Sequence, residues 1–150
     1  GVNLFSNHLY YWGDAHITTT MGPDRAARLD DAGGALAEGV PVATHSDAPV
    51  TALAPLFTAW CAVNRLSSTG ARLGTDAHCL TVAQALHAIT LGAAYSLKMD
   101  HEIGSIEVGK RADFAVLDTD RFDVDAMKLK DIGVNGTVVG GIVHLNASSG

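Results

Sequence analysis

The chain has little cysteine: Cys61 and Cys79 are the two in 150 residues, and they lack C-x-x-C spacing. That excludes a disulfide framework or a zinc-finger pattern, and reduced thiols in a cytoplasmic protein are expected. No apolar run approaches the roughly 20 residues a membrane span needs. The opening Gly1-Val2-Asn3-Leu4-Phe5-Ser6 has no basic region of a signal peptide, and it starts within an apolar segment without Met, as if cut from something longer. Lysine and arginine form no cluster, and the net charge is −6 with a pI of about 5.5, which argues against nucleic acid as a partner. No G-x-S-x-G occurs, so Ser46 beside His45 lacks a nucleophile elbow. There is no internal repeat.

What is present reads as one globular chain: 47% hydrophobic and 17% charged residues, with mean hydropathy +0.18. A chain of this size buries a real core. The apolar excess implies either an Ala-rich α/β protein or surface intended for another segment or subunit.

Val2–Phe5 reads as a short strand, residues 7–14 (NHLYYWGD) as an aromatic loop, and residues 18–23 as a polar, turn-rich one. Residues 24–38 are helical in pattern, in one piece or two around Gly33-Gly34, and Gly39 stands where a left-handed helix terminus belongs. Residues 40–44 form a strand. Residues 53–66 form a helix with Leu56, Ala59, Trp60 and Val63 on one face and Pro55 in its first turn. Residues 81–97 read as a helix opened by a Thr81/Gln84 capping box, with Ala85, Leu86, Ile89 and Ala93 as its stripe and Gly92 allowing close packing. Then the pattern changes. Residues 104–110 are turns, 112–118 a strand buried on at least one face, 125–131 a brief helix, and 132–139 with 142–145 a hairpin closed by Gly140-Gly141. The tail, 146–150, is expected to fray. Helix–strand units are thus followed by a small antiparallel sheet.

Thr44-His45-Ser46-Asp47-Ala48-Pro49 is the most suggestive stretch, because it carries a short strand straight into a carboxylate. By itself Asp47 reads as a metal ligand, a general base, or a cap on the following helix.

Together SDAPV (46–50), AVNR (62–65), the helix T-x-x-Q-A-L-x-A-I-T-x-G-A-A (81–94), GSIEVGKRADFAVLD (104–118) and GTVVGGIVH (136–144) closely resemble the C-terminal part of the metal-dependent amidohydrolase superfamily, nearest its YtcJ-like, D-aminoacylase-related branch. The resemblance implies an α/β fold: residues 1–98 as the last βα units of a (β/α)8 barrel and residues 99–150 as C-terminal strands of a small β-sandwich. A barrel takes about 250 residues, so a fragment of a longer chain is expected. It also implies hydrolysis of an amide or related C–N bond in a small molecule, with one or two divalent metals, zinc foremost. Asp47 matches the strand-end aspartate that serves as metal ligand and general base. The expected H-x-H, the later histidines and any bridging residue are missing, so the isolated piece is expected to be inactive.

His45 stands where relatives more often carry Gly, so a ligand role does not transfer, and a hydrogen bond to Asp47 is expected instead. Asn7-His8 stand where many relatives carry Gln-Pro. His8 and Trp12, with Tyr10 and Tyr11, are candidates for a pocket wall, and Arg25 for holding a substrate carboxylate. Asp14 and His16 have weak ligand-like spacing. Arg65, Asp113 and Lys110 read as structural, and His78, His87, His101 and His144 as ordinary surface or core histidines. The alternative to an enzyme part is a non-catalytic module that binds a partner, the rest of its own chain or a second copy, through apolar faces.

Overall fold

The computed structural model describes residues 1–146. Strands β1 (Val2–Leu4) and β2 (Val42–Thr44) pair in parallel, with Val2 beside Val42 and Leu4 beside Thr44. A parallel pair needs a long crossover. Here it comprises α1 (Asn7–Ala15), a π-helical turn (His16–Thr20), α2 (Pro23–Ala26) and α3 (Ala32–Ala37). After β2 come α4 (Pro55–Asn64), a 3-10 turn (Asp76–His78), α5 (Val82–Ile89) and α6 (Leu91–Ser96). Strands β3 (Phe114–Leu117), β4 (Val134–Val139) and β5 (Ile142–Leu145) form an antiparallel sheet in that order, with a second 3-10 turn (Ala126–Asp131) before β4.

The main core gathers Val42, Ala59, Trp60, Leu80, Ala85, Ala88, Leu129 and Ile132. Trp60 Nε1 donates to the Met127 carbonyl at 3.0 Å, and Asn64 Nδ2 to that of Ala126 at 3.1 Å, which ties α4 to the second 3-10 turn. A Cβ on Gly92 would stand 2.5 Å from the Val42 carbonyl, so glycine lets α6 lie against β2 as the sequence suggested.

Several expectations hold. Gly39 is left-handed at φ +73°, the Thr81/Gln84 capping box forms, Pro55 opens α4, and the hairpin turns at Gly140-Gly141. Others need correction. Residues 7–14 are not a loop but lie in α1, because tertiary partners override weak local signals: Leu9 is fully buried, and the buried Asn7 donates to Thr51 Oγ1 at 2.8 Å. The polar 18–23 stretch begins within the π-helical turn. Residues 24–38 form two pieces, one of the two expected forms, but the break falls at residues 27–31 and Gly33-Gly34 lies inside α3. The 81–97 helix breaks at Thr90, whose φ of −120° and ψ of −94° leave the helical region. β3 presents Phe114 and Val116 to solvent rather than burying a face. The tail at 147–150 lies outside the described residues.

Arg65 is confirmed as structural. It is 0% exposed, sits at φ +49° after α4, and donates to the carbonyls of Leu73 (2.8 Å), Asp30 (2.7 Å), Ala27 (3.2 Å) and Leu29 (2.6 Å). Beside it, burial pushes the Asp30 carboxyl from 3.8 up to about 6, against the opposing pull of Arg65 and a backbone hydrogen bond from Phe5. Asp30 Oδ2 is buried without a partner among the described residues. A carboxyl whose folded pKa is raised holds its proton in the fold after the unfolded chain has released it. Stability contributed by Asp30 therefore falls as pH rises from about 4 to about 6, by roughly 3 kcal/mol for a two-unit shift. Asp30→Asn is expected to flatten that slope and raise stability at pH 7, and asparagine tolerates the φ of +48° found there. Urea midpoints of both proteins at pH 4.5 and 7 check this; parallel pH dependences would refute it.

Candidate active site

The parallel pairing brings the C-terminal ends of β1 and β2 to one rim, where the His45 N–H donates to the Leu4 carbonyl at 2.9 Å. Phe5 and His45 follow the two strands, and their rings stack with centroids 5.4 Å apart. His8, in the first turn of α1, stacks on Phe5 at the same 5.4 Å separation. Trp12, one turn later, presents an edge to His8 at 5.3 Å. The His16 and His8 Nε2 atoms are 3.0 Å apart, and His16 Nδ1 is 2.6 Å from Thr20 Oγ1. Burial, and then the charge of His16, hold the His8 pKa below the ordinary histidine value.

Asp47 lies just past β2, exposed, in the left-handed conformation at φ +54°. Its N–H donates to His45 Nδ1 at 3.1 Å, and its carbonyl accepts from the Val50 N–H at 2.8 Å. Among the described residues, none donates to its carboxylate. The expected His45–Asp47 hydrogen bond forms, and the helix-cap reading does not hold. The link to His45 runs through the Asp47 backbone and not its carboxylate, which puts the proton of a neutral His45 on Nε2. Asp47 does not cap a helix either, because α4 starts only at Pro55. The turn is anchored elsewhere: Thr51 Oγ1 donates to the Ser46 carbonyl and receives Asn7 Nδ2. Tyr11 and residues 48–53 line an open cavity of about 390 Å³ that begins at Asp47's neighbour.

Arg25 stands apart, exposed on α2, and makes no ion pair among the described residues. Asp14 is occupied. Thr69 and Ser67 each donate to it at 2.7 Å, and with Ser68 they hold its carboxyl below the usual range. Lys110 Nζ bonds Ser105, Asp113 accepts from the Gly140 N–H, and His78 accepts from the Thr75 N–H. The sequence treated His8 and His16 separately; a helix through 7–15 would have been the signal to pair them.

Among the described residues, no three His, Cys, Asp or Glu side chains converge as a metal site. A catalytic zinc takes about three protein ligands. The free carboxylate of Asp47 fits one coordination position and no more.

The amidohydrolase family profile matches residues 1–144. N-substituted formamide deformylase of Arthrobacter pascens is 32% identical over 146 residues, covering 96% of this chain and 27% of that protein. Bacillus subtilis YtcJ, named as an amidohydrolase, is 32% identical over 108 residues, 71% of this chain and 20% of its own length. Imidazolonepropionase of Bacteroides fragilis is 43% identical over 65 residues, 43% of this chain and 16% of that enzyme. A solved amidohydrolase from Thermotoga maritima superposes with TM-score 0.55 at 24% identity, covering 75% of this chain and 24% of the other, a likeness of fold. The chain thus spans about a quarter or less of the length of these relatives.

Proposed function

The chain belongs to the amidohydrolase family, matched over residues 1–144, and from that premise we propose that it forms part of a metal-dependent hydrolase acting on amide or related C–N bonds of a small molecule. In this reading residues 1–98 are closing βα units of a (β/α)8 barrel, and β3, β4 and β5 are strands of a small β-sandwich. The parallel β1–β2 pair with helical crossovers supports it. Barrel enzymes place their chemistry where strands end, and Phe5, His45 and Asp47 share that rim.

The observation that carries the proposal is Asp47 itself: a carboxylate with no hydrogen-bond donor among the described residues, in a left-handed turn at a strand end. Non-glycine residues in sparsely populated backbone regions cluster at functional sites. Asp47 takes one coordination position, and the other ligands come from the rest of the whole protein. A divalent metal held there, zinc foremost, would supply a water acidic enough to lose its proton near pH 7. There the Asp47 carboxylate would serve as the proton acceptor and would deliver a proton to the leaving nitrogen. His45 fixes the Asp47 backbone, His8 and Trp12 wall the rim, and Arg25 meets only a substrate carboxylate that extends beyond it.

The full-length protein is expected to hydrolyse small N-substituted amides, to lose turnover on chelation and to regain it with zinc. Turnover indifferent to chelation, or no amide hydrolysis by metal-loaded protein, would refute the proposal. One observation favours a second role for this stretch: Phe114, Val116, Val143 and Leu145 share one face of the antiparallel sheet and are exposed there, which suits a face that docks more of the same chain or a second copy.

A further inference from the structure

The rim holds a donor pair that the hydrolytic reading does not use as ligands. His8 and His16 bring their Nε2 atoms to 3.0 Å. Nitrogens about 2.0–2.1 Å from one zinc ion stand roughly 2.9–3.4 Å apart at angles between square and tetrahedral. The ring planes lie 88° apart with centroids separated by 4.7 Å, so the rings cross at an edge rather than stacking.

The outer atoms are also arranged as a metal site needs. His16 Nδ1 is 2.6 Å from Thr20 Oγ1. A ligating imidazole commonly donates its second N–H to such an oxygen, which sets the tautomer and frees the other nitrogen. His8 is held on its face by Phe5 and at its side by Trp12, so its ring is positioned in advance. Both histidines are only partly buried and can be reached from solvent. The π-helical turn begins at His16, and single π turns inside helices recur at functional sites.

We propose that His8 and His16 form a two-imidazole chelate for a divalent transition ion such as zinc, copper or nickel, with water in the remaining positions. Imidazole donors select these ions over magnesium and calcium. On binding, a neutral His8 carries its proton on Nδ1, and both Nε2 lone pairs face the ion. The chelate uses neither Asp47 nor any residue outside this chain, so it stands or falls separately from the hydrolase reading.

The test is titration of the 150-residue chain, free of any histidine tag, with Zn²⁺ by calorimetry and with Cu²⁺ by tryptophan fluorescence. Trp12 touches His8, so bound copper quenches its emission. One ion per chain is expected, with no heat from Mg²⁺. His16→Gln is expected to weaken binding by at least about tenfold, the scale known for loss of a supporting partner, while its thermal unfolding matches the parent. His8→Ala should weaken binding too, and Asp47→Asn should leave it unchanged. Absence of saturable binding, equal affinity in His16→Gln, or loss in Asp47→Asn would each overturn the proposal.

Discussion

Asp47→Asn in the full-length protein is expected to lower kcat by about 10²–10⁴-fold, the range for removal of a general base, while unfolding stability stays within about 0.5 kcal/mol. The two halves belong together. Asparagine keeps the shape and suits a positive φ, but it cannot take up a proton. The Asp47 carboxylate receives no hydrogen bond among the described residues, and the contacts that hold its turn run through its backbone N–H and carbonyl. A merely structural aspartate would give the reverse: stability lost and turnover kept. Steady-state kinetics beside urea denaturation separates the cases, and turnover within threefold of the parent would remove Asp47 from the mechanism.

Arg65→Met is expected to cost about 3–5 kcal/mol of unfolding free energy, because one buried and three part-buried carbonyls lose their donor at once. Burial as the main cause lowers the guanidinium pKa, with the neighbouring acidic groups Cys79, Asp31 and Asp30 opposing it. Against a typical total of roughly 5–15 kcal/mol, such a loss threatens the fold. Lysine brings one ammonium instead of a planar fork and should recover only part. Arg65→Gly relieves the φ of +49° yet leaves the carbonyls bare, so a large loss there too assigns the effect to hydrogen bonding. Chemical denaturation of the three variants decides; a cost under 1 kcal/mol for Met would refute the assignment.

Legibility in the sequence followed the range of the interactions. The Thr81/Gln84 box, the left-handed Gly39 and the Gly140-Gly141 turn depend on neighbours three or four residues away, and they were readable. Helix α1 depends on Asn7 reaching Thr51, and on Tyr10 packing edge-on against Phe57 at 5.1 Å, so its aromatic, glycine-containing segment looked like a loop. The break at Thr90 was hidden because apolar spacing continues through it. Arg65 reads as structural in the sequence, but its partners are carbonyls, which no side-chain pattern records. At the rim the place of Asp47 just after a strand was legible, whereas the role assigned to it came from the family resemblance. The His8–His16 approach was not, since it requires both a helix and a change of helical pitch.

Phe5 has one ring and two imidazoles against it, one from each of the connections that follow β1 and β2. The two arms of the rim therefore share a single wedge. An amino-acid change that shifts either imidazole alters the seat of the other, so a swap at position 8 is expected to be tolerated or not according to what occupies position 45.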